Sequence, residues 1–413
     1  MEYRKILKSS YNLHLIKTDK FKTLFFKFVF RDDLIKEDVT IRNLLINMLD
    51  ESTSKYNTNR LLNIRKEELY DLSTNFRNRR VGNQILSELS FEMIDTLYTE
   101  KSCLYETIDF IKEVIFNPLF TLEKLNLDKK LLYDDIKELD TIPNVKALLS
   151  LKRTMDSNNS FSIQTSGYLD DLEKITLDDI KTYYKKFINN SLIDIYVVGN
   201  IDFYEIEKLI TENIKFNTIK KEKDSIYNNY INKKKATAIK EDDSNYKQSK
   251  LCIGLNIKNP SDTDIKYNAI LYNMILGNSP ESLLFNNVRE KKSLAYDVTS
   301  SYFKNDNIII ITTGINKENY KLCIDAIKCE IKNIENGNFT SSHLENCKTL
   351  IKSILKESFD FQNTITEYYF GLSYLKLDNI ERQIENIDKV TKEDIIEFSK
   401  KVKIDSIYFL KEN

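Results

Sequence analysis

The sequence predicts an α/β (α+β) protein of two homologous domains, each a mostly antiparallel sheet with helices on one side. Two observations lead to this expectation. The chain has 413 residues, which is too long for one hydrophobic core and suits two domains of about 200 residues. Short motifs also recur in the same order at nearly one spacing, which indicates an internal duplication.

The recurring motifs pair residues of the first half with residues 215 to 226 positions further along the chain. A single pair of this kind would be chance, whereas an ordered series indicates duplication. The matched motifs include Asn47-Met48-Leu49 with Asn273-Met274-Ile275, Leu69-Tyr70-Asp71 with Ala295-Tyr296-Asp297, Phe120-Thr121 with Phe339-Thr340, and Thr176 with Thr391.

Strand and helix patterns follow one another in the order that this architecture requires. Alternation of apolar and polar residues predicts two strands within Leu13–Phe30. Asp38-Val39-Thr40 then opens a helix whose apolar residues recur at helical spacing through Asp50. The other main predicted elements of the first half are helices over Glu106–Ile115, Leu122–Leu139 and Leu177–Phe187, and a strand over Ile193–Val198.

The segment Lys215–Lys250 is polar, charged and almost free of periodicity. We interpret it as an inter-domain linker, which predicts a first domain at 1–215, a linker at 216–246 and a second domain at 247–413. Lys and Arg number 62 against 63 Asp and Glu, so charge does not favour nucleic acid or an anionic membrane as a partner. Five scattered cysteines and the absence of a signal-peptide pattern lead us to expect a cytoplasmic protein with reduced thiols.

The stretch Ser282–Val298 carries the residues with the clearest chemistry. Its first part reads as a helix and its last part as the start of a strand, with a turn near Lys292-Ser293. Arg289 and Tyr296 lie on either side of that turn. A guanidinium and a phenol are two donors that could hold a peptide carbonyl or carboxylate. The alternative is a solvated arginine and a half-buried strand tyrosine, which are common in folded proteins.

A second group combines a histidine with cysteines. His343 and Cys347 are four residues apart on a predicted helix, and Cys323 and Cys329 lie on the helix before it. Such spacing could bind a metal. The alternative is that these residues belong to an N-terminal turn and to the core, where scattered cysteines are usually found.

Several segments resemble the pitrilysin/insulinase family of zinc peptidases. The matching segments are VREKKSLAYDV at Val288–Val298, which is the most specific, Lys55–Ser73, Thr165–Thr176 and Leu276-Gly277-Asn278. The resemblance covers nearly the whole chain and implies two related α/β domains. It also implies that Arg289 and Tyr296 take the places of the family's paired arginine and tyrosine, which contact the substrate near the scissile bond.

The same resemblance reveals a departure at the family's zinc motif. Active members carry H-x-x-E-H on the first-domain helix, where two histidines bind zinc and the glutamate is the base. The matching positions here are Asn43, Ile46 and Asn47, and the family's downstream acidic ligand falls on Asp128. An amide is a poor zinc ligand and Ile46 cannot take a proton, so we expect no catalytic residue and no metal in this chain. Asp128 and the supporting acid, Asp135, are expected on a solvated helix face.

The resemblance implies a non-catalytic subunit of a heteromeric zinc metallopeptidase. A homologous partner chain with H-x-x-E-H would bring the zinc, while this chain, without a cofactor of its own, would contribute Arg289 and Tyr296 to the binding of a peptide substrate. The family includes such split bacterial pairs, and Lys55–Ser73 is similar to a non-catalytic member. The alternative is a stand-alone peptide-binding or scaffold protein without proteolysis. Neither interpretation involves nucleic acid or a membrane.

Overall fold

The computed structural model describes residues 1–217 and 225–412, which form two compact units. Unit 1 consists of Met1–Lys137, Gln164–Ser225 and Phe359–Phe370. Unit 2 consists of Glu138–Ile163, Ile226–Ser358 and Gly371–Asn413. Each unit therefore contains a segment from the other half of the chain, a division that the contiguous domain boundaries predicted from sequence do not have.

Unit 1 is built on a six-stranded sheet in the order β1-β2-β6-β3-β5-β4. Its strands are β1 (Glu2–Leu7), β2 (Tyr11–Lys17), β3 (Thr23–Asp33), β4 (Ser73–Val81), β5 (Gln84–Ile94) and β6 (Leu192–Gly199). β2 and β6 run parallel, and the other neighbouring strands run antiparallel. The sheet is thus mostly antiparallel, as the sequence predicts.

Unit 2 is built on a five-stranded sheet in the order β7-β11-β8-β10-β9. Its strands are β7 (Ala238–Ser244), β8 (Ser249–Ile257), β9 (Asp297–Phe303), β10 (Ile308–Ile315) and β11 (Val402–Glu412). β7 and β11 run parallel, and the remaining pairs are antiparallel.

α-Helices connect the strands of both sheets. In chain order they are α1 (Val39–Leu49), α2 (Asn59–Glu68), α3 (Leu104–Phe116), α4 (Leu122–Thr141), α5 (Pro143–Asp156), α6 (Leu169–Leu172), α7 (Leu177–Asn190), α8 (Phe203–Asn213), α9 (Ala269–Asn273), α10 (Tyr320–Glu335), α11 (Ser341–Glu357), α12 (Gln362–Tyr374), α13 (Ile380–Lys389) and α14 (Lys392–Ser399). Three segments are π-helical. Asp264–Asn268 precedes α9, Met274–Asn278 follows it, and Phe285–Lys291, called the Arg289 helix, precedes β9.

The two sheets share one topology, which confirms the predicted two-domain fold. The order β2-β6-β3-β5-β4 in unit 1 corresponds strand for strand, and direction for direction, to β7-β11-β8-β10-β9 in unit 2. The repeated motifs lie at matching places. Tyr70 and Tyr296 both follow a helix and precede the strand at the sheet edge, while Thr176 and Thr391 both form capping boxes with an aspartate three residues later.

The main core of each unit lies between one face of its sheet and most of its helices. In unit 1, Phe26 and Phe28 of β3 pack with Leu45 of α1 and Ile111 of α3. This arrangement follows from the strand period of two, which turns alternate residues of β3 to the same face.

The second face of each sheet also carries a helix, whereas the sequence predicted helices on one side only. In unit 2, α5 packs Leu151 and Met155 against Cys252 of β8 and Tyr408 of β11. In unit 1, the Gln362–Phe370 part of α12 contacts polar residues of β3 and β4. β8 is buried along its whole length. A strand with both faces covered reads as a near-continuous apolar run, so β8 could have indicated the second helix layer.

The predicted linker at 216–246 contains structured residues, so this part of the prediction is wrong. β7 lies within it and pairs in parallel with β11, and Tyr230 is buried against Phe161. β7 escaped detection because it is an edge strand with mostly exposed, charged residues, as edge strands often are. Residues 218–224 of the predicted linker lie outside the described part of the chain.

Within the described residues, no helix combines the length and the apolar character that crossing a membrane requires.

Candidate functional site

The three positions of α1 that match the family's zinc motif do not offer free metal ligands. Both polar atoms of the Asn43 amide are occupied, since Nδ2 donates to the carbonyl of Thr165 at 2.7 Å and Oδ1 accepts from Asn78 at 2.8 Å. Ile46 is buried in the core of unit 1, and Asn47 is exposed. On this face of α1, Asn43 is therefore engaged in hydrogen bonds within the protein, Ile46 packs in the core and Asn47 is solvated.

Asp128 of α4 is only 3% exposed, so the prediction that it lies on a solvated helix face is wrong. It lies between Leu125 and Leu132, which recur at helical spacing on the buried face of α4. That spacing alone places Asp128 inward and could have been read from the sequence. Asp135, seven residues later, is exposed as expected.

Burial gives the Asp128 carboxyl group unusual acid–base behaviour. Desolvation, assisted by the negative charge of Glu51, raises the pKa of Asp128 to about 7, although the ammonium of Lys124 acts in the opposite direction. Burial also lowers the pKa of Lys124 and raises that of Glu51. Each of these three side chains has a buried polar atom without a hydrogen-bond partner. The position that the sequence resemblance assigns to the acidic ligand therefore has a buried carboxyl group beside a lysine.

The donor set of unit 1 does not fit zinc. Zinc requires three or four nitrogen, sulfur or carboxylate ligands, and Asn43, Ile46, Asn47 and Asp128 supply one carboxylate. Across residues 1–217 and 225–412, no group of three or more His, Cys, Asp or Glu side chains is arranged to hold a metal ion.

Arg289 is presented by a short helix that is anchored to the core of unit 2. Its guanidinium lies over the ring of Phe285 at 4.8 Å, and its Nε is 3.6 Å from the carboxylate of Glu290. Two residues before it, Asn287 donates to the carboxylate of Glu330, which is buried on α10, at 2.8 Å. The hydrogen bond to Glu330 thus holds the helix against α10, while the Arg289 side chain remains 42% exposed.

Tyr296 lies where the predicted turn leads into β9, and the turn itself is confirmed. Ser293 adopts a left-handed backbone with φ of 51° and donates to the carbonyl of Arg289. The Tyr296 N–H donates to the carbonyl of Gly314 at 2.9 Å, and its hydroxyl donates to Oδ1 of Asn316 at 2.7 Å. Its side chain is otherwise open to solvent, because Tyr296 is 56% exposed.

The start of β9 is held in place beneath Tyr296. Asp297 accepts a 2.6 Å hydrogen bond from the N–H of Gly314, and Thr313 donates to the Asp297 carbonyl. A Cβ atom on Gly314 would lie 2.5 Å from the Asp297 carboxylate, so a larger residue there would displace the Asp297 side chain. Tyr296 therefore emerges from a backbone with little freedom to shift.

The histidine and cysteine group of unit 2 matches the core alternative. Cys323 and Cys347 are buried in the core of the unit, and burial raises their pKa values to about 12 and about 11. Cys329 is exposed. His343 lies in the first turn of α11, where its backbone N–H donates to the hydroxyl of Thr340, and among the described residues it belongs to no group that could hold a metal ion.

The chain is similar to proteins that are described as peptidases or as inactive peptidase relatives. Residues 174–351 match the family described as "Peptidase M16 inactive domain". The whole chain is 28% identical to "Probable inactive metalloprotease YmfF" of Bacillus subtilis (strain 168) over 423 residues, 99% of that protein. It is 22% identical to "Uncharacterized zinc protease YmxG" of the same organism, over 80% of this chain and 83% of that one. The crystal structure of a conserved protein from Enterococcus faecalis V583 has a TM-score of 0.93 and 26% identity, and covers 100% of this chain and 99% of that one.

Proposed function

Because the chain is a homologue of the M16 (pitrilysin/insulinase) peptidases without the family's zinc motif, we propose that it is the non-catalytic subunit of a heteromeric zinc metallopeptidase. The observation that supports this proposal is a difference between two sets of positions. Asn43, Ile46 and Asn47 provide no metal site, whereas Arg289 and Tyr296 keep exposed polar ends on an anchored backbone.

The chemistry of peptide hydrolysis gives Arg289 and Tyr296 a role. When water attacks a peptide bond, negative charge develops on the carbonyl oxygen. A guanidinium and a phenol directed at that oxygen stabilise the charge, typically by about 3–4 kcal/mol for one well-placed donor. A planar guanidinium also fixes the orientation of a peptide carbonyl or carboxylate better than an ammonium does.

The partner in this proposal is a homologous chain that carries H-x-x-E-H. A relative that resembles the chain is named "Uncharacterized zinc protease YmxG". The partner would bind the zinc and provide the base, and this chain would contribute to the binding of a peptide substrate. Both chains would act in the cytoplasm.

The test is reconstitution with an H-x-x-E-H homologue from the same genome. Each chain is purified separately, and hydrolysis of flexible fluorogenic peptides is measured for each chain alone and for the mixture, together with zinc content. We expect association, about one zinc per heterodimer, and an increase in kcat over the partner alone. The chain alone should bind no stoichiometric zinc and cleave nothing.

Two outcomes contradict the proposal in different ways. Cleavage and stoichiometric zinc in the chain alone would show that it is itself an enzyme. Peptide binding by the chain without association or activation of any H-x-x-E-H homologue would support the stand-alone peptide-binding or scaffold function instead.

A further inference from the structure

The turn between α2 and β4 contains two consecutive non-glycine residues with a left-handed backbone. Tyr70 and Asp71 both have φ of 57°. This conformation closes the C-terminal end of α2, since it lets the N–H of Leu72 donate to the carbonyl of Lys66 at 3.0 Å. Glycine adopts a left-handed backbone without steric cost, whereas a residue with a Cβ atom does not. Residues held in such a conformation cluster at functional sites, which makes Tyr70 and Asp71 candidates for a role.

The side chain of Tyr70 is not used for hydrogen bonding within the protein. The apolar anchors of the turn are its neighbours Leu69 and Leu72, which are 2% and 3% exposed. Tyr70 itself is half-buried, and its hydroxyl has no hydrogen-bond partner among residues 1–217 and 225–412. The hydroxyl oxygen is also not enclosed by the protein. A phenol can both donate and accept, so this one is available to a ligand.

The turn is fixed to the C-terminal end of α1. Lys66 donates to the carboxylate of Asp50 at 2.7 Å and to the hydroxyl of Thr74 at 2.8 Å. The Thr74 hydroxyl in turn donates to Asp50 at 2.8 Å. Asp50 directly follows α1, three residues after Asn47 of the lost zinc motif. The backbone that carries Tyr70 is therefore braced against the helix on which that motif would lie.

Tyr70 has the same place in unit 1 that Tyr296 has in unit 2. Both tyrosines follow a helix and precede the edge strand of their sheet, and each is followed by an aspartate. The proposed function gives Tyr296 a role in peptide binding. Its hydroxyl donates to Asn316, whereas the hydroxyl of Tyr70 is unpaired. The duplication therefore provides each unit with a phenol at the same place beside its edge strand.

We propose that Tyr70 is a second peptide-contacting residue, whose hydroxyl donates to a backbone carbonyl of an extended peptide bound by unit 1. This inference rests on the proposed function, from which it takes a peptide as the ligand. Every residue of a peptide carries a backbone carbonyl, so the contact does not depend on the sequence of the peptide. A glycine would suit the backbone of the turn better, and the tyrosine is retained for its phenol.

Two substitutions test whether the backbone is strained for the sake of the side chain. Tyr70→Gly and Asp71→Gly each remove the steric cost of one left-handed residue. Each should therefore leave the Tm of the full chain unchanged or raise it by about 2–4 °C. Tyr70→Phe keeps both the ring and the strained backbone, so it is the control and should leave the Tm unchanged.

The contact itself is tested by photo-crosslinking of the full chain. Benzoylphenylalanine is placed at position 70, and the probe is a biotin-labelled tryptic digest of casein, which contains many unstructured peptides. The same residue at position 296 reports the contact that the proposed function assigns. At position 204 it is the control, because Tyr204 of α8 is a tyrosine of unit 1 that is 75% exposed. We expect about ten-fold more crosslinked peptide at position 70 than at position 204.

Position 296 separates failure of this inference from failure of the proposed function. Crosslinks at position 296 without crosslinks at position 70 overturn the inference and leave the proposed peptide binding in place. Crosslinks at position 70 alone support the inference and contradict the role of Tyr296. Equal yields at positions 70 and 204 overturn the inference, as does the absence of crosslinks at position 70. A Tm of Tyr70→Gly that falls by several degrees also overturns it, because the ring would then be retained for packing.

Discussion

The two units share a strand order but differ in what fills the second face of the sheet. In unit 1, Lys27 and Glu88 are each 1% exposed beneath the Gln362–Phe370 part of α12, and Lys27 binds Glu367 at 2.5 Å and Glu88 at 3.1 Å. Arg79 also donates to Glu88 and Glu367. In unit 2, the corresponding face is mostly apolar, with Leu151, Met155 and Ile310 packed together, although the buried Asp405 pairs with Lys234 at its side.

This difference shows that the topology does not depend on one kind of contact at that face. Apolar packing stabilises α5 through burial, which is non-directional. Buried charges must each find partners, because an unpaired one costs several kcal/mol. The charged network of unit 1 therefore specifies where the Gln362–Phe370 part of α12 lies. Removing a charge from this network should have consequences that differ from those of an apolar truncation in unit 2.

Glu88→Ala should have the largest effect on stability. It removes one of the two carboxylates that the buried ammonium of Lys27 and the guanidinium of Arg79 share and leaves them Glu367, so we expect a loss of about 3–5 kcal/mol in the free energy of unfolding of unit 1. Urea denaturation followed by hydrogen exchange at β3 and β5 measures this loss. A change below about 1 kcal/mol would mean that the network contributes little to the position of the segment.

The same carboxylate has a defined pH dependence. Burial acts to raise its pKa, but the positive charges of Lys27 and Arg79 prevail and lower the pKa of Glu88 to about 2. The stability it contributes is therefore present above the unfolded value near 4.5 and is lost as the pH falls toward 2. Glu88→Ala should flatten this part of the acid denaturation curve.

Leu151→Ala is the matched truncation in unit 2. Leu151 is fully buried between α5 and the sheet, so the loss of its side chain should cost about 2–5 kcal/mol, with the actual value set by how far the site collapses. Unlike the effect of Glu88→Ala, this loss should not change with salt or between pH 3 and 8, because no charge is removed. A strong salt dependence would contradict the apolar account of this face.

Asp128→Asn should increase stability at alkaline pH. The pKa of Asp128 is raised to about 7 from an ordinary 3.8, so its favourable contribution is complete below 3.8 and is lost as the pH rises through 7. A neutral amide avoids that loss, and we expect a gain of roughly 1–3 kcal/mol at pH 8 that vanishes near pH 4. If the free energy of unfolding of the two proteins depends on pH in the same way across this range, ionisation of Asp128 does not destabilise the folded state.

The capping boxes give the smallest expected effects and the closest comparison between the units. Thr176→Ala and Thr391→Ala each remove a hydroxyl that accepts from the aspartate N–H three residues later, so each should cost about 1 kcal/mol. Thr176→Ser and Thr391→Ser are the controls, because serine retains the acceptor. Costs that differ greatly between the two sites would show that the repeated motifs are not energetically alike.

Sequence patterns with a local cause were predictable. Helix starts, the turn at Ser293 and both capping motifs depend on residues within a few positions of one another. The burial of Asp128 was also predictable, because Leu125 and Leu132 lie on the same face of the helix.

Features that depend on distant partners were not predictable. β7 has little apolar character, and only its pairing with β11 makes it a strand. The Lys27–Glu88–Glu367 network joins residues from both halves of the chain, and each residue alone reads as a solvated charge. The second helix layer of each sheet was missed for the same reason.

The central claim is that this chain completes a partner's site through Arg289 and Tyr296. The most direct measurement is kcat for a flexible peptide in the reconstituted complex with Arg289→Ala, Arg289→Lys and Tyr296→Phe, using the exposed Arg60→Ala as control. We expect Arg289→Ala to lower kcat about 10²–10³-fold, Arg289→Lys to recover part of it, Tyr296→Phe to lower it less, and Arg60→Ala to leave it unchanged. Complexes of Arg289→Ala and Tyr296→Phe that assemble normally and cleave at the unaltered rate would contradict the claim.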